Sequence, residues 1–280
     1  MKIKILSDST CDLSRELLEK HDITVVPLTV IKNDEEFKDA VTITPDVIFD
    51  HVANGGSLCT TSANSVGEYQ EWFEKFAGDY DGVLHINIGS GFSSCYQNAC
   101  LAAGEFDNVR VVDSMNLSTG QGLVVLEAAR LAQEATDLDE LAKAVQDYTS
   151  RIESSFLLSR LDYMVKGGRC SSAAALGANL LNLKPCIEVK NGKMAVVKKY
   201  RGNFEKCLPM YVKDRLADRE DLDGNTLFVT KTPVSEESYA AVMEAVKQYG
   251  KFDNVYETDA GCTISCHCGP GTLGVLFVRK

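Results

Sequence analysis

Short apolar runs alternate with longer stretches in which apolar residues recur every three or four positions, and this alternation dominates the first half of the chain. Runs at 3–6, 25–30, 82–88 and 108–112 read as strands, and residues 13–20, 45–53, 66–76, 93–103, 120–134 and 138–151 as helices. Thr44 is an N-cap candidate for the second of these. Strand and helix alternating in this way predict a doubly wound parallel sheet. The second half changes character. It offers a strand at 154–158, a helical turn at 161–166, a helix at 173–181 ending near Asn182, and β-prone runs at 186–190 and 193–198. Asn191-Gly192 between those last two runs predicts a hairpin. Helices at 203–216 and 236–249 and strands at 227–230, 254–258 and 273–278 complete a mixed sheet. The expectation is an α/β protein: a Rossmann-like parallel-sheet domain over 1–153, then an α+β mixed-sheet domain over 154–280. No Pro/Gly/Ser linker marks the boundary, and no internal repeat or low-complexity tract interrupts the chain.

Composition narrows the function classes. At 280 residues and 45% hydrophobic the chain can bury a sizeable core. Its 29 basic and 40 acidic residues give a net charge of -11, which phosphate would repel; general nucleic-acid or anionic-membrane binding is not expected. The chain starts Met1-Lys2-Ile3-Lys4 with no apolar leader, and its apolar stretches fall far short of the ~20 residues of a membrane span. A soluble, cytoplasmic protein is expected. Ten cysteines lie at 11, 59, 95, 100, 170, 186, 207, 262, 266 and 268 without paired C-x-x-C knuckles, and reduced thiols packed as small apolar residues are the default. Cys262, Cys266, His267 and Cys268 form the only cluster dense enough for a metal. Consecutive residues in a strand point to opposite faces, which argues against zinc there. No Walker A motif or full G-x-G-x-x-G fingerprint supports nucleotide binding, and no cofactor is expected.

The chemistry is suggested by three hydroxyl-rich loops, each directly after a strand. They are Ser7-Asp8-Ser9-Thr10-Cys11-Asp12, Ile88-Gly89-Ser90-Gly91-Phe92-Ser93-Ser94 and Asp113-Ser114-Met115-Asn116. In an open parallel sheet the carboxyl ends of the strands form the ligand crevice. Converging there, the loops would cradle an anionic head group with hydroxyls and N–H groups. Ser93 also opens a helix and is a plausible N-cap. Thr60-Thr61-Ser62-Ala63-Asn64-Ser65 carries more hydroxyls before the 66–76 helix than one cap needs. Gly167-Gly168-Arg169 combines a free backbone with a permanent charge suited to carboxylate or phosphate. His267 sits in Cys266-His267-Cys268-Gly269-Pro270-Gly271, read as a special loop. His21, His51 and His85 read as surface or structural. Ser93, His267 and Asp8 or Asp113 would suit a hydrolase triad, although the G-x-S-x-G elbow is absent. The loops also suit a phosphorylated small molecule.

Across nearly its whole length the chain resembles the DegV family of bacterial fatty-acid-binding proteins. The resemblance rests on Ser7-Asp8-Ser9-Thr10-Cys11-Asp12-Leu13, Thr60-Thr61-Ser62, residues 89–97, 113–122 and 161–185, Lys199-Tyr200-Arg201-Gly202, and residues 267–274. It implies a Rossmann-like domain joined to a mixed-sheet domain with an acyl chain buried between them. It also implies a non-catalytic role as the fatty-acid-carrying subunit that presents the carboxylate to a separate ATP-dependent fatty acid kinase. By position, Thr61 and Ser93 would bind the carboxylate, with Arg169 and His267 in the network and Ser62, Ser94 and Gly168 in the supporting loops. Arg201 matches an arginine of the kinase-facing surface. The chain departs from the family at Ala63-Asn64 (Gln-Pro there), Ser94-Cys95 (Gly-Thr) and Cys268 (Thr), all beside the head-group position. Phe156, Leu158, Leu176, Leu180 and Leu183, near the domain junction, are candidates for the tunnel wall.

Overall fold

The computed structural model describes residues 1–176 and 182–280. Four parallel strands lie in the spatial order Ile23–Val26, Ile3–Asp8, Gly82–Asn87 and Val109–Asp113. The strand Gly82–Asn87 is buried throughout, as a central strand covered on both faces must be. Leu6 and Val83 pack with Tyr69, Phe73 and Ala99 on one face, while Ile5, Leu84 and Ile86 pack with Val124, Ala128 and Val145 on the other. The period of two in these strands thus meets helices on both sides. Local signals set the helix starts. Ser65 and Glu68 close a reciprocal capping box on Val66–Ala77, and Asp137 caps Leu138–Tyr148.

A six-stranded sheet follows in the order Lys193–Arg201, Leu183–Lys190, Ile152–Leu158, Thr272–Arg279, Leu222–Lys231, Asn254–Asp259. It is antiparallel except for its last pair. One face (Leu157, Cys186, Val275, Phe277) packs under the helices Phe204–Leu216 and Glu236–Tyr249. The opposite face contributes Phe156, Leu158, Ile187 and Val189 to the core of the parallel unit. That shared core positions the site. The predicted hairpin forms, with Asn191 and Gly192 both at positive φ (50° and 69°), and its tip meets the loop after Gly82–Asn87. A Cβ on Gly91 would lie 2.1 Å from the Gly192 carbonyl oxygen.

Several boundaries differ from the sequence reading. The run at 25–30 splits at Pro27, which has no N–H for a ladder. Ile23–Val26 stays in the parallel sheet, and Thr29–Lys32 joins Glu35–Lys38 and Thr60–Ser62 in a separate antiparallel sheet. The helix expected at 138–151 ends at Tyr148 and tightens into a 3-10 turn, Thr149–Arg151. Of the helix expected over 173–181, Ser171–Ala174 is described, while residues 177–181, with the wall candidate Leu180, lie outside the described residues. Of residues 266–271, expected as a loop, 266–268 close the helix Cys262–Cys268. Among the described residues no helix is long and apolar enough to cross a membrane.

Candidate functional site

The three strand-end loops do emerge from adjacent parallel strands, yet only the second contributes to a cavity beneath the shared core. In the first loop, Ser9 Oγ donates to Asp39 Oδ2 (3.0 Å) and accepts from Leu28 N. Thr10 Oγ1 donates to Gln121 (2.7 Å). Asp8 accepts from Tyr69 OH, Asn87 Nδ2 and the Ile88 N–H, with His85 Nε2 at 3.2 Å. In the third, Ser114 Oγ donates to the Asn116 carbonyl, and Asp113 Oδ1 accepts from the Ser90 and Met115 N–H groups. The common three-loop cradle is therefore corrected. Two loops are buried under other segments, and the side chains named above are engaged within the protein rather than turned to a ligand, as most buried polar groups are. His85 is structural, fully buried beside Tyr69 and Phe73.

The cavity is lined by Thr61, Ser62 and Ala63 from one strand end, Ile88, Phe92 and Ser93 from the second loop, Met164 and Arg169, Met194, and Thr263, Ile264, His267 and Cys268 from the 262–268 helix. A second, almost wholly apolar cavity adjoins it, sharing Leu117, Ile264 and Cys268 and running to Phe156 and Leu276. Free volume is small, about 60 Å³ and about 30 Å³. A cavity of roughly 150 Å³ is needed to house a benzene, so anything long must displace wall side chains. Met164 and Met194, unbranched and adaptable, are suited to that. Of the five wall candidates, Phe156 lines the second cavity. Leu158 and Leu176 belong to the neighbouring core, and Leu183 borders neither cavity. The apolar residues that do form the first cavity's wall were missed because its lining comes from seven separated segments, each ordinary in sequence.

Polar groups gather at one end. Thr61 Oγ1 lies 2.8 Å from His267 Nε2. His267 stands in the last turn of its helix, and its Nδ1 is buried without a partner. The ring packs so close to Gly167 that a Cβ there would be 2.5 Å from Nδ1. Burial, then the nearby Arg169 charge, pushes the His267 pKa down to about 4, so the imidazole is neutral at pH 7. Arg169 is exposed, with Nη1 donating to the Gly167 carbonyl at 2.6 Å. Gly168 ends the helix Asp162–Gly167 in the left-handed region (φ 71°), the conformation that turns the chain toward Arg169. Ser93 Oγ accepts from the Cys95 N–H (3.3 Å) and lies 3.0 Å from Cys95 Sγ. It is not the N-cap: Ser94 occupies that position, exposed and with no side-chain cap bond. Ser62 is exposed, its hydroxyl donating to the Ala63 carbonyl. Arg201 is exposed at the end of Lys193–Arg201 and borders neither cavity.

Of the positions read as departures from the resembled family, Ala63 and Cys268 lie at the cavity and Asn64 and Ser94 do not. Cys95 is the hydrogen-bond partner of Ser93, its thiol pushed up to about 12 chiefly by burial. Ala63 and Cys268 line the cavity, whereas Asn64 is buried, donating to the Pro27 carbonyl. No triad is assembled among the described residues: the Ser93 side chain meets Cys95, His267 meets Thr61, and the Asp8 and Asp113 carboxylates accept from the groups named above. As for zinc, the helix places Cys262 and Cys266 one turn apart in an apolar cluster. These residues are thus not on opposite faces of a strand, as the sequence reading held, and no metal-ligand group is found among the described residues.

The family model described as the DegV family matches residues 2–280. A DegV domain-containing protein of Clostridium perfringens is 32% identical over 284 residues, covering 100% of this chain and 99% of its own. Among solved structures, a DegV family protein from Thermus thermophilus, described for its fatty acid binding, superposes with a TM-score of 0.88 at 29% identity over the full length of both chains. A DegV lipid binding protein from Thermotoga maritima does so with a TM-score of 0.85, also at 29% identity and full coverage.

Proposed function

The chain belongs to the DegV family, and from that premise we propose that it carries a long-chain fatty acid, with the carboxylate at the polar end and the chain in the apolar cavities between its two units. The observation that carries this reading is the Thr61–His267 contact at the head of an otherwise apolar cavity. An ionised carboxylate away from water needs hydrogen bonds or a nearby positive charge. Thr61 and Ser93 supply hydroxyl donors, and Arg169 supplies the charge.

A threonine hydroxyl has one proton. If Thr61 donates it to the carboxylate, its oxygen must accept from His267, which fixes His267 as the Nε2–H tautomer. The buried, unpartnered Nδ1 suits that tautomer, because it then carries a lone pair and no stranded proton. His267 thus positions Thr61. Ser93 likewise turns its proton to the carboxylate when Cys95 donates to it. Burial of an alkyl chain contributes about 0.8 kcal/mol per methylene, on the order of 11 kcal/mol for ~14 methylenes before the costs of ordering. In this reading the protein is a non-catalytic carrier, and its partner is an ATP-dependent fatty acid kinase that receives the carboxylate on the side bearing Arg201.

Binding of oleate and methyl oleate to delipidated protein tests the head-group assignment. Wild type should prefer the acid, and Ser93→Ala should lose about 1 kcal/mol, or roughly fivefold, of that preference. Equal affinity for acid and ester in the wild type would overturn it.

A further inference from the structure

The Thr61 and Ser93 hydroxyls have different partners, His267 at 2.8 Å and the Cys95 sulfur at 3.0 Å. Their spacing is therefore set by the segments that carry them, the strand Thr60–Ser62 and the loop that enters the helix Cys95–Ala103. Two hydroxyls that donate to one carboxylate must each stand about 3 Å from an oxygen. That spacing decides whether both can bind at once.

Two asparagines tie the carrying segments together. Asn98, one turn into its helix, uses its backbone N–H for the Ser94 carbonyl (3.0 Å) and its Nδ2 for the Asn64 carbonyl (2.8 Å), 34 positions away. Asn64, 1% exposed, extends the tie, because its own Nδ2 donates to the Pro27 carbonyl at 3.2 Å. Leu28, Thr61 to Ala63, and Phe92 with Ser93 line the head-group cavity, and neither asparagine does. Three pieces of cavity wall are thus joined in series through residues placed behind them. A carbonyl accepts only from the Nδ2 end of an amide, which fixes both orientations. It also leaves Asn64 Oδ1 buried without a partner, at a cost in stability.

The sequence reading sets Asn64 against a proline in the resembled family. A proline ring fixes φ by itself, whereas an asparagine leaves it free. Ala63 and Asn64 are the whole link between the strand Thr60–Ser62 and the capping box that Ser65 closes on Val66–Ala77. The hydrogen bonds at Asn64 restrain this link from outside, as a ring would from within. We propose that Asn98 and Asn64 are positioning residues, which hold Thr61 and Ser93 at the spacing that receives an ionised carboxylate and so set the preference of the site for an acid over a neutral lipid. The inference rests on the fatty-acid reading and deepens it.

The test compares binding of oleate and methyl oleate to delipidated wild type, Asn98→Ala, Asn64→Ala and Asn64→Pro. The ester fills the same apolar space without the charge, so its affinity reports an intact cavity. Expected is an unchanged ester affinity throughout. The acid-over-ester ratio should fall about fivefold in Asn98→Ala and in Asn64→Ala. It should stay close to wild type in Asn64→Pro, where the ring restores the restraint and the carbonyl of residue 64 still accepts from Asn98. A wild-type ratio in Asn98→Ala overturns the positioning role. So does a variant that loses acid and ester equally, the result of a loosened fold. If Asn98→Ala does not fold, the two Asn64 variants decide, and equal ratios in them overturn the inference. A wild type that binds acid and ester alike overturns the head-group reading and this inference with it. A discriminating wild type with equally discriminating variants overturns the inference alone.

Discussion

His267 is a neutral imidazole held in place by one hydroxyl and one glycine, and its titration is the sharpest residue-level consequence of the site. Its folded pKa of about 4 lies below the ordinary 6.5. Above pH 6.5 neither state holds the proton. Between 6.5 and 4 the unfolded chain takes up a proton that the folded chain refuses, so stability falls as pH falls through that window. The loss at pH 5 should reach about 2 kcal/mol at most. Urea midpoints at pH 7.5 and pH 5 should show this drop in wild type and a shallower one in His267→Gln. An identical pH dependence in both would contradict the buried, neutral histidine. Residues of this kind were partly legible. Thr61, Ser93, Arg169 and His267 do gather at one cavity, but residue types alone did not show that His267 engages Thr61, 206 positions away. Nor did they show that the hydroxyls of Ser9 and Ser114 would be spent internally, because internal satisfaction depends on what packs above each loop.

Asp39 controls an element far from it in sequence. It accepts from the Cys262 N–H (2.9 Å), the Thr263 N–H (3.1 Å), Thr263 Oγ1 (2.6 Å) and Ser9 Oγ, while Asp12 Oδ1 accepts from the Gly261 N–H. The 262–268 helix is thus capped from another part of the chain. That explains why no helix was read there: Cys-Thr-Ile-Ser-Cys-His-Cys has weak helix formers and no local cap. Asp39→Ala leaves buried donors without an acceptor. It should cost about 2–4 kcal/mol by chemical denaturation; a loss under about 0.5 kcal/mol would contradict the capping role. Elements with local signals were legible, as the Asn191-Gly192 hairpin and the helix opened by Ser65 and Glu68 show. The run at 25–30 failed because its apolar pattern outweighed Pro27. The edge strand Glu35–Lys38, charged and half-exposed, carries no alternation to read.

For the whole molecule, the alternating first half and mixed second half gave the correct fold class, since each half's pattern of buried faces specifies which layers must cover it. The seam between the halves was the least legible part. Its wall is assembled from Leu28, Ile88, Leu117, Met164, Met194 and Ile264, residues that meet only when both units are folded. The small free volume there means that a bound chain must occupy space that Met164 and Met194 can vacate. The most direct measurement is mass spectrometry of the organic extract from purified protein, paired with the native mass of the intact complex. A long-chain fatty acid near one per chain is the expected result. An extract free of lipid, from protein that also fails to take up added palmitate or oleate, would contradict the carrier account.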